Sequence, residues 1–320
     1  MKFSKIIFDM DGVITTEQAY WTTAALTVKS MLDKGFNTTD PQEIKEIRAE
    51  IFQNDDTIRL CKDIGINSNW DLGFVVYVAS QLIDTRDFRK VYDYIHDLNL
   101  TALDLYKFLE DKGYPRNQGV WLEMQDYFQQ WYLGDDGYQK VNGKKPSVNG
   151  RTGFMNNEMP MFDPSELKAF FEKLINSGAT LAIATGRLAY EVVPAMKRWG
   201  LFEYFDERSI STYDYVEKAQ VLCDETIAKP HPYCFLKALL GTDYPDEKIL
   251  SGDYDKTLSG TALAVGDAGA DILSAQAGGM SFAAVLTGVA GENAREYFVK
   301  QKADYIFDNV FCLTEIYKRR

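Results

Sequence analysis

Lys5-Ile6-Ile7-Phe8-Asp9-Met10-Asp11-Gly12-Val13 is the stretch whose reading decides the fold. Ile6, Ile7 and Phe8 form an unbroken apolar run. Such a run suits a strand buried on both faces, as in the middle of a parallel sheet. Two carboxylates and a glycine follow at once. In an open α/β sheet ligands bind beyond the carboxyl ends of the strands, which is where Asp9 and Asp11 would stand. The pair is open to three readings: a divalent metal site, a nucleophile beside an acid/base, or a solvated turn without chemistry. A calcium loop is excluded. An EF-hand needs an oxygen ligand at its fifth position and a Glu at its twelfth, and here those positions hold Val13 and Tyr20.

Working outward, composition sets the frame. A chain of 320 residues points to about two domains. Its 47 acidic and 35 basic residues give a formal charge of −12. That balance argues against a nucleic-acid partner. No apolar run approaches the ~18 residues of a membrane span. No charged-then-apolar leader precedes Asp9, so the expected location is cytoplasmic. Cys61, Cys223, Cys234 and Cys312 are scattered, with no CxxC, and read as reduced thiols. With only two histidines, His96 and His231, a His-rich metal site or a Ser-His-Asp triad finds little support.

From about Thr16 to Met161 helical spacings dominate. Thr39-Asp40-Pro41 reads as a cap and first-turn proline ahead of Ile44, Ile47 and Ile51. Residues 72–83, apolar nearly all round, suggest a buried helix more than a strand. The aromatic stripe of Trp121, Tyr127, Phe128, Trp131 and Tyr132 reads as packing. Residues 134–160, rich in glycine, read as a long loop, either a lid or a linker. Its Lys144, Lys145 and Arg151 are candidates to meet an anionic substrate, although a solvated, mobile loop is the better account of them.

At Asp163-Pro164-Ser165-Glu166 the α/β alternation resumes with a capping box and a first-turn proline. Leu167, Phe170, Phe171, Leu174 and Ile175 mark one helix face. Strands are expected over 180–184, near Ile210, over 261–265, over 281–286 and over 304–307. The fold class that follows is α/β: a doubly wound, Rossmann-like parallel-sheet core with an inserted all-α domain. The expected division is 1–16 with 163–320 for the core, and 17–162 for the insert.

Four polar motifs then stand at strand ends or at the helix entry beside them: Asp9/Asp11, Thr185-Gly186, Lys229-Pro230, and Gly266-Asp267 with Asp271. Each alone is weak. Together, in this order and on one rim, they resemble the four motifs of the haloacid dehalogenase (HAD) superfamily. The stretches VGDAGADILSAQAGG, KPHPYCFLKAL and ADYIFDN are similar to their counterparts in the phosphoglycolate-phosphatase and β-phosphoglucomutase-like branch. The helical insert resembles its C1-type cap.

The resemblance implies a Mg²⁺-dependent phosphatase acting on a small-molecule phosphate ester, with a cap that closes over the core. It implies Asp9 as nucleophile, forming an aspartyl-phosphate, and Asp11 as acid/base. The metal ligands would be Asp9, the backbone carbonyl of Asp11, and Asp267, with Asp271 in support. Thr185, Gly186 and Lys229 would bind the phosphoryl group. Asp11 serves a phosphomutase equally well, so that alternative stays open, as does a non-catalytic phosphate- or metal-binding protein. Two further residues are ambiguous. Arg187 could reach substrate or pair with an acid, and His231 reads as structural. Ser251-Gly252-Asp253 imitates the fourth motif but reads as a surface loop. Oligomeric state is not legible.

Overall fold

The computed structural model describes residues 3–66 and 68–318. Its contacts divide the chain into two compact units, Met1–Thr16 with Met159–Arg320, and Glu17–Glu158.

The first unit is built on one all-parallel sheet of six strands. They are β1 (Lys5–Phe8), β2 (Thr180–Ala184), β3 (Ile210–Ser211), β4 (Ala262–Gly266), β5 (Ser281–Val285) and β6 (Tyr305–Phe307), in the order β3-β2-β1-β4-β5-β6. β1 lies in the middle. Lys5 is in register with Thr180 on one side and Ala262 on the other. This explains the unbroken apolar run, since Ile6, Ile7 and Phe8 are wholly buried.

The two faces of the sheet differ. Ile6, Phe8, Leu181, Ile183, Leu263 and Val265 join one core. Ile7 joins the other, with the small side chains Ala182, Ala184, Ala262 and Ala264. The bulky face receives Phe170 and Phe171 of the helix Pro164–Asn176. Phe171 is fully buried, with its ring 5.7 Å from that of Phe8 and 5.2 Å from that of Phe205. Fully burying a side chain of this size stabilises by about 1.5–3 kcal/mol. The alanine face lets the helices Tyr233–Leu240 and Gly269–Ala277 lie close to the strands. Asp163 caps Pro164–Asn176 by accepting the Ser165 N–H at 2.7 Å. Ile175, expected on the buried face, is exposed.

The second unit is helical throughout: Gln18–Leu32, Pro41–Ile51, Asp56–Asp63, Asn69–Leu82, Phe88–Leu98, Ala102–Asp111 and Val120–Asn142, with a 3₁₀ turn at Phe154–Asn157. Asp40 caps the second of these, and Asn69–Leu82 is the expected buried helix. The aromatic stripe is core. Trp121, Phe128, Trp131 and Tyr132 are buried, and Tyr132 stacks on Tyr20 at 4.8 Å. Buried Asp71 gathers the indole N–H of Trp121 at 2.7 Å, the Arg116 guanidinium at 2.7 Å and the Tyr106 hydroxyl at 3.2 Å.

Two loop expectations need correction. Residues 134–142 are helix, not loop. Gly134 is a kink inside Val120–Asn142, with φ 71° and ψ 175°. The returning chain lies against that kink so closely that a Cβ on Gly134 would stand 2.6 Å from the Thr152 carbonyl carbon. Arg151 is buried in this contact, while Lys144 pairs with Asp126 at 2.7 Å. The second correction concerns the imitation motif. Asp246–Ser251 is a short helix, Gly252 its left-handed C-cap, and Asp253 pairs with Lys248.

Candidate active site

The site is assembled where β1, β2 and β4 end. Asp9 directly follows β1, and its N–H donates to the carbonyl of Val265 on β4 at 2.8 Å. The chain then turns tightly, with the Met10 carbonyl accepting from Val13, Ile14 and Thr15. Thr185 follows β2, and its N–H donates to Ser211 of β3 at 3.0 Å. Gly266 ends β4 and carries Asp267 out of the sheet. Asp271 enters from the first turn of Gly269–Ala277.

Lys229 joins these elements. Its Nζ donates to Asp9 Oδ1 at 2.7 Å, to Asp271 Oδ1 at 2.8 Å and to the Ala184 carbonyl at 2.8 Å. Burial would lower the pKa of this amine, but Asp271 and Asp9 reverse the effect and hold it above its ordinary value. Burial likewise pushes the Asp9 carboxyl up, to about 7, against the opposing pull of Lys229. The same pair of groups therefore carries a protonated lysine and a carboxyl that is reluctant to ionise without a further cation.

Carboxylate oxygens of Asp9, Asp267 and Asp271 lie within 4.8 Å of one another, a grouping able to hold a metal ion. Their situations differ. Asp271 already accepts from Lys229 on one oxygen and from the Ala268 N–H, at 3.2 Å, on the other. It is thus a positioning group for the lysine. Gly266 permits this approach, since a Cβ there would stand 2.5 Å from Asp271. Asp267 sits in a cradle of two glycines. A Cβ on Gly12 would fall 2.2 Å from its Oδ2, and one on Gly288 would fall 1.8 Å away. Gly12 also has a φ of +70°, a left-handed conformation in which glycine is unstrained. Neighbouring Thr287 donates its hydroxyl to the Gly12 carbonyl. This β5 loop was not found in the sequence, because a lone Thr-Gly after a strand is indistinguishable from a turn.

The Asp11 carboxylate is not in that grouping. Arg187 donates to it and Thr15 donates its hydroxyl at 3.1 Å. Of the two readings of Arg187, the structure places it on an acid, and the acid is one of the candidate pair. Thr185 Oγ1 accepts the Arg187 N–H at 3.2 Å, which leaves the hydroxyl proton to be donated elsewhere. Gly186 is exposed, with open space where a side chain would be. His231 is structural, as expected: its Nδ1 accepts the Tyr233 N–H at 3.2 Å. All seven candidates, Asp9, Asp11, Thr185, Gly186, Lys229, Asp267 and Asp271, fall at this edge.

Residues 226–312 match the family model described as HAD-hydrolase-like. A solved X-ray structure from the Northeast Structural Genomics Consortium, whose name states no function, is 26% identical. It covers 98% of this chain and 98% of its own, with a TM-score of 0.78. A HAD family hydrolase from Deinococcus radiodurans, solved with bound phosphate and sodium, is 13% identical over 98% of this chain and 93% of its own, at a TM-score of 0.48. A predicted phosphoglycolate phosphatase from Haemophilus somnus is 16% identical over 99% and 98%, at 0.46. At those two scores the likeness is too loose to build on. No curated protein matches. The family match, over the residues that carry the Lys229 and Asp267 motifs, bears out the resemblance to the HAD superfamily. Among the described residues, no helix is long and apolar enough to cross a membrane.

Proposed function

We propose that this chain, with its HAD fold and HAD-hydrolase-like segment, is a Mg²⁺-dependent phosphatase that hydrolyses a small phosphorylated metabolite through an aspartyl-phosphate. One observation carries the reading: a single lysine bonded to two carboxylates and a strand-end carbonyl, with a third carboxylate within 4.8 Å. Charge neutralisation and in-line placement are what phosphoryl transfer requires.

The residues fit a divalent ion. Asp9 ionises reluctantly in its burial, as a metal ligand lacking its metal would. The glycines at 12 and 288 make room for the Asp267 carboxylate, which a Cβ at either position would displace. Asp9, Asp267 and the Asp11 carbonyl would hold the ion. When bound, it supplies positive charge that favours the ionised Asp9 and offsets the charge of the phosphoryl oxygens.

The chain's own groups do the rest. An Asp9 carboxylate oxygen attacks phosphorus as the ester P–O bond breaks. Asp11 gives its proton to the departing oxygen. Asp11 then takes a proton from the water that attacks phosphorus, which frees Asp9 and inorganic phosphate. General acid–base help of this kind is worth about 10²–10⁴-fold. The Thr185 hydroxyl, the Gly186 N–H and Lys229 donate to the phosphoryl oxygens, and Asp271 keeps Lys229 in place. Arg187 and Thr15 fix where the Asp11 carboxylate points.

The test is phosphate release from a panel of phosphorylated metabolites, with and without Mg²⁺, for the native protein and Asp9→Asn. Mg²⁺-dependent release that disappears in the variant is expected. Isomerisation of a sugar phosphate without net release would replace the phosphatase with a phosphomutase. Release that survives in Asp9→Asn would remove the nucleophile.

A further inference from the structure

The helical unit contains a cleft of about 360 Å³, lined by residues of Gln18–Leu32, Pro41–Ile51 and the segment 151–157. That volume is within the range of small-molecule sites. Its charge is one-sided. Arg151, Lys45 and Arg48 line it, and no Asp or Glu is among the described lining residues, although the chain carries 47 acids against 35 bases. Arg48 is already matched by Asp55 at 2.7 Å. Lys45 and Arg151 form no ion pair among the described residues. Lys45 is exposed at the mouth.

Arg151 is the unusual member. It is 4% exposed, and its guanidinium lies over the Trp131 ring at 4.0 Å. Its terminal nitrogens donate only to neutral oxygens, Gln130 Oε1 at 3.2 Å and the Phe36 carbonyl at 3.1 Å. Its Nε is buried without an acceptor. Asp135, the carboxylate whose field it feels, accepts the backbone N–H groups of Gly150 and Arg151 instead. A buried guanidinium lacking both a counter-charge and one of its acceptors is costly. An oxyanion entering the cleft would relieve that cost with charge-assisted hydrogen bonds.

We propose that this cleft binds a small organic anion, its oxyanion head held by Arg151 and Lys45 and its short apolar body against Ile44 and Phe154. The inference is independent of the phosphatase reading, since none of its residues belongs to the site at the sheet edge. The anion is a separate organic acid.

The test is calorimetric titration of the full chain with benzoate, hexanoate and sulfate in Mg²⁺-free buffer, with uncharged benzamide as control. Binding of at least one anion, and none of benzamide, is expected. Lys45→Glu alters an exposed residue and should fold normally; it is expected to weaken that anion about tenfold, the scale of one charge-assisted contact. Arg151→Gln should abolish binding, with circular dichroism used to confirm its fold. No binding by any of the three anions at millimolar concentration, or equal affinity in folded Lys45→Glu, would overturn the proposal.

Discussion

Arg187 donates its Nε to both carboxylate oxygens of Asp11, each at 3.1 Å, and its Nη2 to one of them. The arginine is buried, while the Asp11 side chain keeps 28% of its surface. A planar fork on a carboxylate fixes direction as well as position, which an ammonium does not. Arg187→Lys is therefore expected to lower kcat for phosphate release by roughly ten- to a hundredfold through misplacement of Asp11, with KM little changed. Asp11→Asn should cost about 10²–10⁴-fold. The double variant should be no worse than Asp11→Asn alone, because the arginine acts through the acid. Additive losses would show that Arg187 works elsewhere.

Asp9 makes stability depend on pH with a definite sign. Burial in the folded state pushes its carboxyl up to about 7 from the ordinary 3.8, against the opposing pull of Lys229. The folded state thus holds this proton more tightly than the unfolded chain. The contribution is fully present below about 4 and is lost as pH rises through about 7. Thermal melts in chelator between pH 4 and 8 should show this loss in the native protein, and Asp9→Asn should lack it. Mg²⁺ favours the ionised form, so adding it should restore stability at the upper end of that window. A native profile parallel to that of Asp9→Asn would contradict the assignment.

The glycine cradle predicts a metal defect from a residue that is no ligand. A methyl at position 288 would occupy the space of Asp267 Oδ2. Gly288→Ala should raise the Mg²⁺ concentration needed for half-maximal activity at least about tenfold, comparable to losing an outer-shell partner of a metal ligand. Asp267→Asn should weaken metal binding further. Calorimetric Mg²⁺ titration measures both, and an unchanged affinity in Gly288→Ala would mean the loop yields.

Two substitutions test the cores of the separate units. Phe171→Ala removes a fully buried ring from the bulky face of the sheet and should cost about 3–5 kcal/mol by denaturant unfolding. Gly134→Ala places a methyl against the Thr152 backbone at a positive φ and should destabilise by about 1–3 kcal/mol. A loss below 1 kcal/mol for either would mean that its surroundings relax more readily than the close contacts imply.

The six strands were legible because each is a short apolar run closed by a polar or glycine punctuation, and β1 most of all. The site residues were legible because they cluster at those ends. What failed was the start of the glycine-rich segment, residues 134–142. Glycine density was read as loop, yet Gly134 and Gly153 are there because two backbones touch, a long-range contact that composition does not encode. Arg187 was open between two partners for the same reason: local sequence places it after a strand but does not say which carboxylate lies across from it. Thr287 and Gly288 carry no motif, and only the packing of β5's loop against Gly12 reveals them.

The central position of β1 also bears on how the protein is made. Lys5–Phe8 is made before its neighbours in the sheet, which begin at Thr180 and Ala262. At typical translation speeds the second neighbour arrives on the order of tens of seconds later. Until Thr180 is made, Ile6, Ile7 and Phe8 have both ladder edges unmet, and until Ala262 is made they have one, the kind of unpaired apolar edge that favours aggregation. The strand at the centre of the finished sheet is the one that waits longest for its place.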